Sequence, residues 1–124
     1  MTTTILIADD EPNILISLEY LMKREGYTVS VARDGEEAIA AILRERPALV
    51  LLDVMMPKKS GFEVCQEVRA NDALKHTLIL MLTAKGRETD VAKGLGLGAD
   101  AYVTKPFSTK ELVQKVREML EGRA

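Results

Sequence analysis

The chain has 124 residues, of which 47% are hydrophobic, enough for one folded domain spanning residues 1–124 and too few for two. A net charge of −2 and 4% aromatic residues argue against direct binding of nucleic acid. With one cysteine and no apolar stretch long enough for a signal peptide or a membrane span, we expect no internal disulfide, no membrane contact and a cytoplasmic location.

Short apolar runs alternate with amphipathic segments along the chain. This βαβα pattern is typical of an α/β fold in which helices cover both faces of a parallel sheet. The predicted strands are residues 4–8, 27–32, 49–53, 77–82 and 101–104. The predicted helices are residues 12–25, a segment between Asp34 and Pro47, residues 62–70, residues 87–98 and a last helix that follows Ser108.

Two helix starts carry the signature of a capping box, in which a short polar side chain is followed three residues later by glutamate. The pairs are Asp34 with Glu37 and Ser108 with Glu111. The fourth helix has the opposite character, because glycines 94, 96 and 98 lie in it or just past it and an interior glycine costs about 1 kcal/mol relative to alanine. We expect this helix to be the weakest of the five and mobile.

Polar side chains close four of the predicted strands. Asp9 and Asp10 follow the first strand, Asp53 ends the third, Thr83 follows the fourth and Lys105 follows the fifth. Because parallel strands carry their carboxyl ends to one edge of a sheet, we expect these groups to converge. Carboxylates so close together repel one another, and oxygen ligands of this kind suit a hard divalent cation, Mg²⁺ above all.

A carboxylate beside a cation, a lysine and a hydroxyl can accept a phosphoryl group. Asp53 would be the nucleophile, and Lys105, the Thr83 hydroxyl and the Ala84 backbone N–H would bind the phosphoryl oxygens. The sequence contains no glycine-rich phosphate-binding loop, so the phosphoryl group would come from an outside donor.

These motifs resemble those of the response regulator receiver domains of two-component systems, and the resemblance covers essentially the whole chain. It is carried by Asp9-Asp10, Asp53 with Pro57 and Gly61, Thr83-Ala84, Tyr102, and Lys105-Pro106. The resemblance implies a doubly wound, flavodoxin-like sandwich with strand order 2-1-3-4-5 and five helices. It also implies a cis peptide bond between Lys105 and Pro106.

The resemblance further implies a function and a set of partners. Asp53 would take a phosphoryl group from a phosphohistidine on a sensor histidine kinase or a histidine phosphotransfer protein. Asp10, Asp53 and the Met55 carbonyl would bind Mg²⁺ directly, and Asp9 would act mainly through a coordinated water. Such a protein catalyses its own phosphorylation and slow dephosphorylation and is not a turnover enzyme.

Output in such proteins would be a change of surface. Thr83 would move toward the phosphate and Tyr102 would turn inward, which would change the face made by the fourth helix, the fifth strand and the fifth helix. A downstream target protein would read this face, and the chain would be a monomer or a weak dimer.

The resemblance also implies that two side chains help to position or exclude the water that hydrolyses the phosphoryl group. The residues two places after the acceptor and two places after the threonine are Met55 and Lys85, and neither is an acid or amide suited to orienting a water molecule. We therefore expect phosphorylated Asp53 to hydrolyse slowly.

Other interpretations of the same residues are open. The acidic residues after the first strand could serve only as a helix cap, Tyr102 could be an ordinary strand aromatic, Cys65 reads as a core residue and His76 as a solvated one. Three rival functions are a Mg²⁺-dependent aspartyl-phosphate phosphatase, a phosphate-independent docking module and a flavodoxin-like redox carrier. The phosphatase would need a second aspartate where Met55 stands.

Overall fold

A computed structural model of the chain describes residues 3–84 and 87–122 and contains five strands, five α-helices and one short 3₁₀ segment. The strands are β1 (Thr4–Ala8), β2 (Thr28–Ala32), β3 (Leu49–Asp53), β4 (Leu78–Ala84) and β5 (Ala101–Lys105). The helices are α1 (Pro12–Arg24), α2 (Gly35–Glu45), α3 (Gly61–Arg69), α4 (Glu88–Gly96) and α5 (Thr109–Gly122). The 3₁₀ segment is Asp72–Leu74, which the sequence analysis did not predict.

The five strands form one parallel sheet in the order β2-β1-β3-β4-β5, so the predicted fold class and strand order are confirmed. β3 is the central strand, and Leu51 is paired with Ile7 on one side and Leu80 on the other. All five residues of β3 are buried, which explains why this strand is a continuous apolar run without polar alternation.

Helices cover the two faces of the sheet and make two separate apolar clusters. Val50 and Leu52 point to the cluster formed with α2 and α3, and Leu49 and Leu51 point to the cluster formed with α1 and α5. A one-residue slip of β3 would place every one of these side chains on the wrong face. Because burying each of them contributes about 1.5–3 kcal/mol, the pairing of β3 with its neighbours is strongly specified.

The hydrogen bond to the capping side chain is present at both predicted helix starts. The Asp34 carboxylate accepts the Glu37 N–H at 2.8 Å, and the Ser108 hydroxyl accepts the Glu111 N–H at 3.0 Å. The Glu37 carboxylate, however, accepts from the N–H of Arg33 at 3.2 Å and not from that of Asp34. At the start of α2, the hydrogen bond from the backbone to the glutamate side chain is therefore made by the residue before the cap.

A complete capping box that the sequence analysis did not single out begins α3. Ser60 accepts the Glu63 N–H at 3.2 Å, and the Glu63 carboxylate accepts the Ser60 N–H at 3.1 Å. The helix therefore starts at Gly61, one residue before the predicted boundary.

α4 is held less firmly than the other helices. Within the described part of the chain its one buried residue is Gly94, where an added Cβ would lie 3.4 Å from the terminal methyl of Met81. The helix ends at Gly96, earlier than predicted, because Gly98 turns the chain with a φ of +108°.

An arginine clamp joins α3 to the segment after α4. The Arg69 guanidinium donates to the Gly98 carbonyl at 2.8 Å, to the Thr77 carbonyl at 2.8 Å and to the Asp100 carboxylate at 2.7 Å. Asp100 in turn accepts the Ile79 N–H at 2.8 Å. One planar side chain therefore ties α3, the start of β4 and the entry to β5 together.

The remaining structural expectations concern single residues and membrane spans. Cys65 is fully buried, and burial raises the pKa of its thiol, as expected for a core residue. His76 is exposed, as predicted. In residues 3–84 and 87–122, none of the helices has the length and apolar character needed to cross a bilayer.

Candidate functional site

Three aspartates meet where β1 and β3 end. Asp9 and Asp53 are buried, with 0% and 5% of their surface exposed, and Asp10 is exposed. One carboxylate oxygen of each lies within 4.8 Å of the others, and no further acidic, histidine or cysteine cluster of this kind occurs among the described residues. The sequence analysis placed these three groups at one sheet edge, and the structure brings them together there.

Lys105 supplies the positive charge at this cluster. Its Nζ lies 2.9 Å from Oδ2 of Asp9, 3.4 Å from Oδ1 of Asp53 and 3.6 Å from Oε1 of Glu11. β5 carries the lysine there because Ala84 pairs with Lys105 in the sheet. The peptide bond from Lys105 to Pro106 is cis, as predicted.

Asp53 has an unusual proton affinity. Burial and, after it, the negative charge of Asp9 raise the pKa of its carboxyl to about 6, against the opposing effects of Lys105 and the Met55 N–H. The carboxylate is therefore ionised at neutral pH but poorly solvated, which favours reaction with an electrophile or a cation.

The pKa of Lys105 is also raised, but for a different reason. Burial lowers its pKa, but the hydrogen bond to Asp9 and the charges of Asp53 and Asp9 outweigh burial, so the pKa of the ammonium group is raised above its ordinary value. Lys105 thus remains a cation at any physiological pH.

Thr83 lies at the end of the neighbouring strand. It is 2% exposed, and its hydroxyl donates to the Ala84 carbonyl at 3.1 Å. The sequence analysis ended this strand at residue 82, but β4 continues to Ala84 because Thr83 and Ala84 pair with Thr104 and Lys105. Lys85, the second position expected to affect hydrolysis, lies outside the described residues.

The loop after β3 shapes the other side of the site. Met55 is 62% exposed, and its backbone N–H faces the Asp53 carboxylate. Gly61 is required at the loop's end because a Cβ there would lie 2.3 Å from the Asp53 carbonyl oxygen. The Gly61 N–H donates to the Val54 carbonyl at 2.9 Å, which closes the loop against the strand.

Tyr102, the predicted switch residue, is 43% exposed on β5, next to Met81 in the sheet. With Leu95 of α4 and Lys115 of α5 it lines a shallow groove on the face that the sequence analysis proposed for output. The structure thus places Tyr102 on the predicted face, outside the aspartate cluster.

Sequence reasoning missed one neighbour of the site. Glu11 is one of the acidic residues after the first strand for which the sequence suggests only a helix cap, whereas its carboxylate reaches toward Lys105. Its signal in the sequence was its place directly after Asp9-Asp10, but the contact joins residues 94 positions apart and depends on the sheet order.

Comparison with known proteins agrees with this geometry. Residues 5–117 match the family described as response regulator receiver domain. A protein from Chloroflexus aurantiacus described as a response regulator is 36% identical, with a TM-score of 0.93 over 98% of this chain and 99% of its own. The chemotaxis protein CheY4 of Vibrio cholerae is 31% identical, with a TM-score of 0.89 over 96% of this chain and 99% of its own.

A third structure comes from a kinase. The signal receiver domain of a signal transduction histidine kinase from Syntrophus aciditrophicus is 30% identical, with a TM-score of 0.90 over 98% of this chain and 92% of its own. The sheet order, the aspartate cluster with its lysine and the match over residues 5–117 lead to one assignment. The chain belongs to the response regulator receiver domain family of two-component signalling proteins.

Proposed function

We propose that the chain is a phosphorylation-dependent signalling switch that accepts a phosphoryl group on Asp53 from a phosphohistidine. The donor would be a sensor histidine kinase or a histidine phosphotransfer protein in the cytoplasm. The observation that carries the proposal is the environment of Asp53, a buried carboxylate with a pKa of about 6 that lies 3.4 Å from Lys105 beside two more aspartates.

The residues present fit a Mg²⁺ ion. Three carboxylate oxygens lie within 4.8 Å of one another, and a hard divalent cation prefers oxygen ligands of this type. Asp10, Asp53 and the Met55 carbonyl would hold the ion directly, and Asp9 would hold it mainly through water. When bound, Mg²⁺ would neutralise negative charge on the carboxylates and on the incoming phosphoryl group.

The side chains then have separate tasks in the transfer. An Asp53 oxygen forms a bond to phosphorus as the bond from phosphorus to the imidazole nitrogen of the donor breaks, and the imidazole leaves with that electron pair. The Lys105 ammonium would leave Asp9 to contact the phosphoryl oxygens. The Thr83 hydroxyl would exchange the Ala84 carbonyl for the phosphate, and the Ala84 N–H would donate to the same group.

Output would follow from the movement of Thr83. The new charge on Asp53 is about −1.5 to −2, and it would draw the Thr83 hydroxyl inward, leaving space that the Tyr102 ring can fill. The groove that Tyr102 shares with α4 and α5 would change, and a target protein would bind the altered face. We propose a monomer or weak dimer that binds neither nucleic acid nor membrane.

Two other functions share parts of this site. A Mg²⁺-dependent aspartyl-phosphate phosphatase would use the same acidic cluster, but Met55 stands where it would need its second acid. A phosphate-independent docking module would need none of the contacts between Lys105 and the aspartates. We therefore favour a switch that does not turn over substrate.

The test is the intact mass of the protein after incubation with acetyl phosphate and Mg²⁺. We expect one added phosphoryl group in the wild type, none in Asp53→Asn and none when EDTA replaces Mg²⁺. Asp34→Asn is the matched control, because Asp34 is also buried and asparagine preserves its helix cap.

Each outcome separates the candidate functions. Absence of any adduct in the folded wild type would support a docking module, and an adduct that persists in Asp53→Asn would refute the assigned acceptor. Continuous release of phosphate from an added phosphomonoester would support the phosphatase.

A further inference from the structure

Glu11 occupies the N-cap of α1 but does not act as a cap. Its φ of −90° and ψ of 113° are those of an N-cap residue, yet within the described residues its side chain accepts no hydrogen bond from the first turn. The carboxylate reaches instead toward Lys105, with Oε1 3.6 Å from Nζ. Glutamate is not one of the preferred N-cap residues, so helix capping does not account for this side chain, whose carboxylate faces the site.

The backbone of Glu11 is held in place while its side chain is open to solvent. The Glu11 N–H donates to Oδ1 of Asp9 at 2.9 Å, and 62% of its side chain surface is exposed. Asp10, its neighbour, is also exposed. The carboxylates of Asp10 and Glu11 therefore lie at the rim of the site. That of Glu11 is beside the Lys105 ammonium group, which the phosphoryl oxygens would contact.

We propose that Glu11 determines which phosphodonors the site accepts, by disfavouring donors in proportion to their net negative charge. This inference rests on the proposed function, since it concerns the same transfer to Asp53. An incoming phosphoryl group has to share Lys105 with Glu11, and like charges within a Debye length of about 8 Å repel measurably. A phosphorylated imidazole is partly protonated on its second ring nitrogen near neutral pH, so its mean negative charge is smaller than that of a dianionic acyl phosphate, and Glu11 favours the imidazole donor.

Two small phosphodonors that differ in net charge test this inference. Acetyl phosphate is mainly a dianion near neutral pH, and transfer breaks its bond from phosphorus to oxygen and releases acetate. Phosphoramidate is mainly a monoanion whose nitrogen carries the proton, and transfer breaks its bond from phosphorus to nitrogen and releases ammonia. In both cases an Asp53 oxygen forms the new bond to phosphorus, so the acceptor and product are the same.

The experiment compares the second-order rate constants of phosphorylation by these two donors at pH 7. The Mg²⁺ concentration is saturating, and the saturating concentration is determined separately for each variant. For Glu11→Gln we expect the rate constant with acetyl phosphate, relative to that with phosphoramidate, to rise about threefold. At about 1 M salt, where the Debye length is ~3 Å, the difference between wild type and Glu11→Gln should disappear.

A remote charge control is Glu118→Gln on the exposed surface of α5, which changes the net charge equally. Because Glu11 makes no cap bond and its contact with Lys105 is exposed to solvent, Glu11→Gln should unfold at a urea midpoint close to that of the wild type. An unchanged donor ratio in Glu11→Gln, or an equal change in Glu118→Gln, would overturn the inference. Failure of the wild type to be labelled on Asp53 would instead overturn the proposed function.

Discussion

The Lys105 ammonium lies 0.5 Å nearer to Asp9 than to Asp53, at 2.9 Å against 3.4 Å. The lysine is therefore more closely bonded to the carboxylate that is fully buried, and the proposed acceptor is left less well compensated. Burial and the Asp9 charge then dominate at Asp53 and raise its pKa to about 6.

The raised pKa of Asp53 predicts a pH-dependent gain in stability when its charge is removed. The pKa of Asp53 in the folded protein exceeds the ordinary aspartate value of 3.8, so the stability associated with protonated Asp53 is complete below about pH 4 and is lost as pH rises through about 6. Without Mg²⁺, Asp53→Asn should raise the free energy of unfolding by about 2 to 3 kcal/mol at pH 7.5.

Urea unfolding of both proteins between pH 4 and pH 8 checks this prediction. The difference between Asp53→Asn and wild type should shrink toward zero at the acid end, since both side chains are then neutral. A difference that does not vary with pH would mean that packing, and not charge, distinguishes the two proteins.

Removal of Mg²⁺ should destabilise the wild type. A ligand that binds only the folded state stabilises it by RT ln(1 + [L]/Kd), which is about 2.7 kcal/mol at a hundredfold excess over Kd. We expect EDTA to lower the urea midpoint of the wild type and to have little effect on Asp10→Asn. Glu118→Gln serves as the control for general charge effects. A wild-type urea midpoint that is the same with and without Mg²⁺ would contradict the metal site.

Two glycines at the end of α4 should respond to alanine in opposite directions. At Gly98, with a φ of +108°, a Cβ would lie 2.7 Å from Cγ of Arg69. Gly98→Ala should therefore cost about 1–3 kcal/mol of unfolding free energy, from backbone strain and displacement of the arginine clamp. Gly96 is helical with open space around it, so Gly96→Ala should stabilise by about 0.5–1 kcal/mol. Thermal or urea unfolding of the two variants checks this prediction. Equal changes in the free energy of unfolding would refute the role of the arginine clamp.

Met55 should govern how long the phosphoryl group stays on Asp53. Its side chain, two residues after the acceptor, is exposed and apolar and cannot orient a water molecule. Met55→Asn should accelerate loss of radiolabelled phosphate severalfold. Leu43→Asn, a similar replacement of an exposed apolar residue on α2, should leave the rate unchanged. An unaltered lifetime in Met55→Asn would place control of hydrolysis elsewhere.

Much of the fold was predictable because each strand is a run of apolar residues and each helix has an amphipathic period. The predicted bounds of β1 are those observed, whereas β4 is longer than predicted because its last two residues are paired by β5. Pairing between strands is a tertiary contact, and local composition does not report it.

The residues at the strand ends of the site were predictable, but its contacts between distant side chains were not. Asp9, Asp10, Asp53 and Lys105 follow from the rule that parallel strands end at one edge, and the structure brings them together. The clamp of Arg69 on Gly98 and Asp100 was not predicted, because it joins residues about 30 positions apart through side-chain geometry. The orientation of Glu11 toward Lys105 escaped prediction for the same reason.

The central position of β3 limits how the proposed signal could leave Asp53. The strand is hydrogen-bonded to β1 on one side and to β4 on the other, and apolar side chains pack on both of its faces. Displacing it would break two ladders and open two packed layers at once, so the acceptor is held stationary. Under the proposed function, phosphorylation of Asp53 would therefore act as a change of charge at a fixed point, and the side chains that move around that point would carry the signal.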